Sequence, residues 1–153
     1  MYGLRYFNLL LLLVLIGTCS SCASSYPEGG QPSLEGNRLA GTTWSLISLQ
    51  PPDEKLLFID SPENYLLQFR NETDMIIRAD CFTCDGKYNS TGRALAVQVD
   101  CLNTGCPPGS RGELYMDAMN RVSSFNMSQK ELYINYGAER GRLTFRTYTP
   151  SDP

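Results

Sequence analysis

Tyr65-Leu66-Leu67-Gln68-Phe69, then Asn71-Glu72-Thr73-Asp74, then Met75-Ile76-Ile77-Arg78-Ala79 is an apolar run, a polar break and a second apolar run. Two such runs around an Asn/Asp/Thr cluster read as strands joined by a turn, a hairpin. Toward the N-terminus, Trp44, Leu46 and Ser48 alternate with Ser45, Ile47 and Leu49 in an earlier strand whose two faces are both fairly apolar. Pro51-Pro52-Asp53 ends it, because proline cannot donate to a ladder. Residues 55–59 form a weaker strand before the turn Ser61-Pro62-Glu63-Asn64.

Toward the C-terminus, Asn89-Ser90-Thr91-Gly92 is a second polar turn, leading into Ala94-Leu95-Ala96-Val97-Gln98-Val99 with Leu95, Val97 and Val99 on one face. The period changes once. Ser110 and Glu113 have the spacing of a capping box, and Leu114, Ala118 and Val122 recur at four, with Tyr115 and Met119 beside them. A helix of about three turns is expected there, left through Phe125 and Met127. Leu132-Tyr133-Ile134-Asn135-Tyr136 and Leu143-Thr144-Phe145-Arg146-Thr147-Tyr148 make the last hairpin across residues 137–141. The fold class is therefore α+β: about five to seven antiparallel strands and one main helix before the last hairpin. Crossover helices for a parallel sheet are missing.

A chain of 153 residues holds one folded domain. Lys plus Arg is 13 against 16 for Asp plus Glu, a net charge of -3, and the basic residues are scattered singly. Nucleic acid is not expected as a partner, since phosphate neutralisation needs a dense basic face. With no histidine, the commonest general base, the Ser-His triad and imidazole metal ligands are all missing. The expectation is a protein without enzymatic activity, catalytic residues, cofactor or bound metal, and monomeric.

Residues 1–18 hold Arg5 and then the apolar run Leu9-Leu10-Leu11-Leu12-Leu13-Val14-Leu15-Ile16, too short to span a bilayer but shaped as an export signal. Ile16-Gly17-Thr18-Cys19 resembles the bacterial lipoprotein box, which makes Cys19 the expected lipidation site. Cys22 is the rival anchor, because its lipidation would leave four thiols to pair. Ordinary signal cleavage near Ala23 is the plainer alternative. Residues 19–40, rich in Ser, Pro and Gly, read as a flexible tether, and 149–153 as a disordered tail. The domain is thus expected in the cell envelope, held to the membrane by lipid and facing the periplasm or the exterior.

The folded part, about residues 41–148, resembles the META domain family, known from the heat-shock lipoprotein HslJ. Gly41-Thr42-Thr43-Trp44-Ser45-Leu46 is similar to the family's Trp-containing first strand. Cys81, Gly86 and Tyr88 keep the spacing of its Gly-Cys-Asn segment, although Asp80-Cys81-Phe82 stands where that triplet would be. Thr104 with Cys106 look like its later Thr and Cys, and Met119, Leu132, Leu143 and Phe145 follow its order. The resemblance implies an antiparallel sheet or partly open barrel. It also implies a role in stress response or envelope integrity, with an envelope protein or polymer as partner and no accepted reaction.

Cys81-Phe82-Thr83-Cys84 and Cys101-Leu102-Asn103-Thr104-Gly105-Cys106 give a CxxC and a CxxxxC pair. A four-thiolate metal site lacks a second knuckle, and a redox CxxC should start a helix, whereas Asp85-Gly86-Lys87-Tyr88 points to an extended continuation. Export favours two disulfides. Of three connectivities, the nested one, Cys81 to Cys106 and Cys84 to Cys101, matches two antiparallel segments. The alternative functions are a periplasmic thiol-redox protein using Cys81 and Cys84, and a membrane-tethered inhibitor module presenting residues 50–55.

Remaining features read blandly. Asp80, Asp85 and Asp100 could gather a divalent cation, but strand-end charges in water explain them. Tyr133, Tyr136 and Tyr148 could line a peptide or glycan groove, but tyrosine is a good strand residue. The sequons at Asn71, Asn89 and Asn126 mark turns or surface.

Overall fold

The computed structural model describes residues 38–150. The leader, Cys19, Cys22, most of the tether and the end of the tail lie outside the described residues. The chain already belongs to the folded body at Leu39, which is fully buried and whose carbonyl accepts from the Thr42 hydroxyl. The tether expected to reach residue 40 therefore ends earlier, because Leu39 fills part of the core.

The described residues form nine strands, one α-helix and a short 3-10 helix at Pro62–Asn64: β1 (Thr43–Gln50), β2 (Leu57–Phe58), β3 (Tyr65–Phe69), β4 (Asp74–Ala79), β5 (Phe82–Thr91), β6 (Ala94–Asn103), α1 (Gly112–Met119), β7 (Val122–Met127), β8 (Glu131–Tyr136) and β9 (Gly141–Thr147). All pairings are antiparallel, and neighbours follow chain order from β3 to β9. Because β1 pairs with β3 along one edge and with β9 along the other, eight strands close into a barrel. The two-residue β2 adds to the far end of β1 beside Ser48 and Leu49.

The hairpin 65–79 forms as its sequence implies. Asn71 Oδ1 accepts from the amides of Thr73 (2.9 Å) and Asp74 (2.8 Å), an Asx turn that reverses the chain. The first strand departs from simple alternation. A register shift between Leu46 and Ser48 changes the phase, so Leu49 joins Trp44 and Leu46 in the apolar core, while Ser45 and Ser48 are buried as well and Ile47 is only half-buried.

The helix differs from expectation in phase and length. Its buried residues are Gly112, Tyr115, Met116, Ala118 and Met119, while Leu114 is 40% exposed. Gly112, Tyr115, Met116 and Met119 lie at i, i+3, i+4 and i+7, one continuous stripe. Val122 is not helical: it opens β7, an extra strand between the helix and the last hairpin. The capping box is also reduced. Ser110 Oγ accepts from the Gly112 amide (3.0 Å), and the cap position itself is Arg111, which makes no side-chain cap bond.

The stripe enters the barrel. The Tyr115 ring lies 6.2 Å from that of Tyr65 and 6.0 Å from that of Phe145, and Met116 Sδ is 3.9 Å from Cys84 Sγ. At Gly86, a Cβ would come within 2.9 Å of both Val99 Cγ1 and the Gln98 carbonyl. Two residues on, Tyr88 is buried, packs edge-on against Phe69 at 4.7 Å and donates to the Asn71 carbonyl (2.6 Å). Gly86→Ala is expected to cost about 1–3 kcal/mol by overpacking. A urea midpoint equal to that of the parent protein would show that β5 and β6 have room for a methyl group there.

Candidate functional site

The four cysteines fall on two neighbouring segments. Cys84 and Cys101 are direct partners across β5 and β6, with Cα atoms 4.1 Å apart, and are bonded in the structure. Cys81, in the turn between β4 and β5, is bonded to Cys106 in the loop after β6, with Cα atoms 4.8 Å apart. Cys81 and Cys84 are thus each bonded to another segment and not to one another, and the chain runs on from Cys81 as a strand. The outer bond ties residues 104–111 to the end of β4. Gly112 completes this contact: a Cβ there would meet Cys81 Sγ at 2.8 Å and the Ala79 carbonyl at 3.0 Å.

This tie forms one wall of a cleft of about 370 Å³ at an end of the barrel. Phe58, Ile59, Asp60 and Ser61 face it on one side, Pro107, Pro108, Gly109 and Ser110 on the other. The Tyr65 hydroxyl holds the walls together. It donates to Asp80 Oδ2 (2.9 Å), accepts from the Arg111 amide (2.8 Å) and lies 3.4 Å from Ser110 Oγ. Burial, more than the hydrogen bonds, pushes the Tyr65 pKa above its ordinary value, so the hydroxyl stays protonated and keeps donating. Asp80 takes a left-handed conformation (φ 54°) at the tight β4–β5 turn, with its amide donating to the Asn64 carbonyl (2.9 Å). Phe58 on the rim is 72% exposed. The arrangement offers a shaped recess with an apolar lip, whose Tyr65 hydroxyl bonds Asp80 and the Arg111 amide while Ser110 caps the Gly112 amide.

The other sequence candidates scatter. Asp85 and Asp100 face each other across β5 and β6, whereas Asp80 sits in the turn, and no group of three or more metal-ligating side chains occurs among the described residues. Tyr136 is buried, with Arg121 5.4 Å from its ring centre and its hydroxyl donating to the Gln50 carbonyl (3.1 Å). Tyr133 is only half-buried and donates to Glu131, which with burial holds its pKa up. Tyr148 lines a separate shallow groove with Leu66 and Ile76, so the three tyrosines do not form one surface. In residues 50–55, Pro51 is buried and Asp53 pairs with Arg140 at 3.0 Å, fastening this loop to the β8–β9 turn.

Sequence reasoning missed the cleft. Tyr65 and Ser110 are 45 residues apart, and a strand tyrosine gives no sign of where its hydroxyl will find a partner. The two prolines and glycine at 107–109 marked a loop, and the outer disulfide together with the Tyr65 hydroxyl brings that loop to β3.

No family profile and no curated protein matches the chain. Two solved structures share its fold. One, an NMR structure of a protein from Burkholderia xenovorans, superposes with a TM-score of 0.61 at 17% identity, over 73% of this chain and 85% of that one. The other, a crystal structure of a DUF4847 family protein from Bacteroides vulgatus, gives 0.56 at 12% identity, over 74% and 96%. At these identities the likeness extends to fold alone.

Proposed function

We propose that this chain is a non-enzymatic lipoprotein of the bacterial cell envelope, a META-like, partly open barrel that binds an envelope protein or polymer at the cleft beside the outer disulfide. The cleft carries the reading. It is walled by the segment that the Cys81–Cys106 bond fastens and by the Tyr65 hydrogen bonds to Asp80 and the Arg111 amide. Exposed Phe58 beside Pro107 and Pro108 supplies the apolar area that recognition of a macromolecule needs. Two disulfides suit an oxidising compartment, and the Ile16-Gly17-Thr18-Cys19 box supports anchoring through Cys19, where several acyl chains would hold the protein firmly. A redox role for Cys81 and Cys84 loses support because each is bonded to another segment.

The test is photo-crosslinking in intact cells of the host. A photoreactive residue at Phe58 or Pro108 is expected to give one dominant adduct that fractionates with the membrane. The same residue at Glu72, in the turn at the other end of the β3–β4 hairpin, should not. Mass spectrometry of the same preparation should find lipid on Cys19. Equal adducts from all three positions, or none from the cleft, would overturn the binding reading, and an unmodified N-terminus near Ala23 would overturn the anchor.

A further inference from the structure

Among the described residues the barrel has one seam that its strands close through a single residue pair. β5 and β6 pair without interruption over ten residue pairs, from Phe82–Asn103 to Thr91–Ala94. On its other edge β6 meets β7 through the single pair Ala94–Ser124, because the chain returns as α1 and extends again only at Val122. The direction of the backbone groups follows from two bonds. The Arg93 carbonyl accepts from the Phe125 amide (2.8 Å), and the Thr104 amide donates to the Cys81 carbonyl (2.9 Å). Odd-numbered residues of β6 therefore turn their amides and carbonyls toward the seam and even-numbered ones toward β5. Val97, Val99 and Cys101 present unpaired edge groups among the described residues. Their side chains are only half-buried, whereas Leu67, Phe69 and Ile77 on the opposite strands are fully buried.

Natural sheets blunt such an edge with proline, a bulge, lysine or a covering element. From Val97 to Cys101 there is no proline, no lysine and no register shift, and Asp100 is the one charge. The Cys84–Cys101 bond and the ten-pair register hold the edge straight, so little ordering cost remains for a strand that adds to it.

We propose that this edge pairs antiparallel with the same edge of a second copy, about a two-fold axis at Val99. The sequence around Val99 is self-complementary in that register. Val99 faces the partner's Val99 and Val97 faces the partner's Cys101, so every open amide and carbonyl from 97 to 101 is used. On the outer face Gln98 meets the partner's Asp100 and Ala96 meets the partner's Leu102, each twice by symmetry. Leu102, 75% exposed in one copy, gains an apolar neighbour. A centre at Asp100 would set that carboxylate against itself, and a centre at Gln98 would call on Leu95, next to the pair already made with β7. The monomer expected from sequence gives way to a dimer, a weak one, because a short strand pair covers less than the roughly 1,000 Å² of a stable interface.

The test uses the full chain as the cell makes it, in sedimentation runs over roughly two decades of concentration. Dimer is expected to grow with concentration. Gln98→Asp, which creates two carboxylate pairs, should weaken it about tenfold, and Gln98→Lys, which creates two ion pairs, should tighten it by a similar factor. Both changes sit on an exposed side chain that faces Lys87 across β5 and β6 in the same copy, so urea midpoints of both variants are compared with the parent to show that the fold is kept. Val99→Pro removes an edge amide and should also weaken association. Hydrogen exchange of Val97, Val99 and Cys101 should slow as concentration rises, while Gln98 and Asp100, whose amides face β5, should not respond. A monomer at every concentration, a dimer indifferent to residue 98, or exchange independent of concentration would each overturn the proposal. So would a monomer in which a foreign peptide protects the same amides.

Discussion

Full reduction is expected to leave the domain marginal or unfolded at room temperature. The outer bond spans 25 residues and the inner one 17. Loop-closure entropy assigns about 3.5 kcal/mol to the first and about 3 to the second if each acted alone. They are nested, so once the outer bond restricts the unfolded chain the inner one has less entropy left to remove, and the two contributions fall short of their sum. Their joint loss is still comparable with the whole stability of a domain of this size, about 5–15 kcal/mol. Urea midpoints with and without reductant measure it, with Cys81→Ser and Cys84→Ser giving the separate effects and a peptide map giving the pairing. An unchanged midpoint on full reduction, or stoichiometric zinc released from untreated protein, would show that the four cysteines are not structural staples.

The same nesting explains why the pairing could be reasoned from sequence while the site beside it could not. The expected turn at Asn89–Gly92 tightens to Gly92-Arg93, with Asn89, Ser90 and Thr91 drawn into β5, and of the registers that reverse the chain there this is the one that sets Cys84 level with Cys101. Turn chemistry is likewise local: Asn71 closes its hairpin with its own side chain. What escaped was whatever depends on a single residue changing phase. The irregularity near Ile47 turns Leu49 toward the core, and nothing in the alternation of β1 announces it. Val122 continued the helical spacing from Leu114 and Ala118 by coincidence, and counting it in rotated the stripe by one residue and hid β7. The correct stripe contains Gly112, a residue that hydrophobic periodicity passes over but that the close approach to Cys81 requires. Leu39 was hidden in a Ser- and Gly-rich context, where one leucine in a polar segment looks like surface.

For the cleft, local reading supplied the pieces without their adjacency. In sequence Asp80 is a carboxylate near cysteines and Ser110 a helix cap. Their common partner, the Tyr65 hydroxyl, is set by the tilt of β3 in a closed barrel and by where the disulfide pins residues 106–111. Closure itself depends on β1 pairing β9 across about a hundred residues, a contact that no window of the sequence contains.

Tyr115 should separate hydrophobic packing from hydrogen bonding more sharply than any other residue in the core. Its side chain is fully buried between Tyr65 and Phe145, and its hydroxyl has no hydrogen-bond partner among the described residues. Tyr115→Ala removes the largest side chain that α1 inserts into the barrel and is expected to cost about 3–5 kcal/mol. Tyr115→Phe keeps the ring and removes only the unpaired oxygen, so it should leave the urea midpoint unchanged or raise stability by about 1 kcal/mol. The alkaline limb provides an independent check. Burial pushes the Tyr115 pKa far above 10.0, its ordinary value, while the unfolded chain keeps that value. The folded state therefore holds a proton that the unfolded state releases, and stability, complete below about pH 10, falls as pH rises beyond it. The Phe variant should show a shallower fall, with the remainder carried by Tyr65 and Tyr136, whose pKa values burial also raises, and by Tyr133, held up by its bond to Glu131. If the Phe and Ala variants lose stability equally, the hydroxyl has a partner, and the helix is held by a polar contact rather than by the fit of its ring.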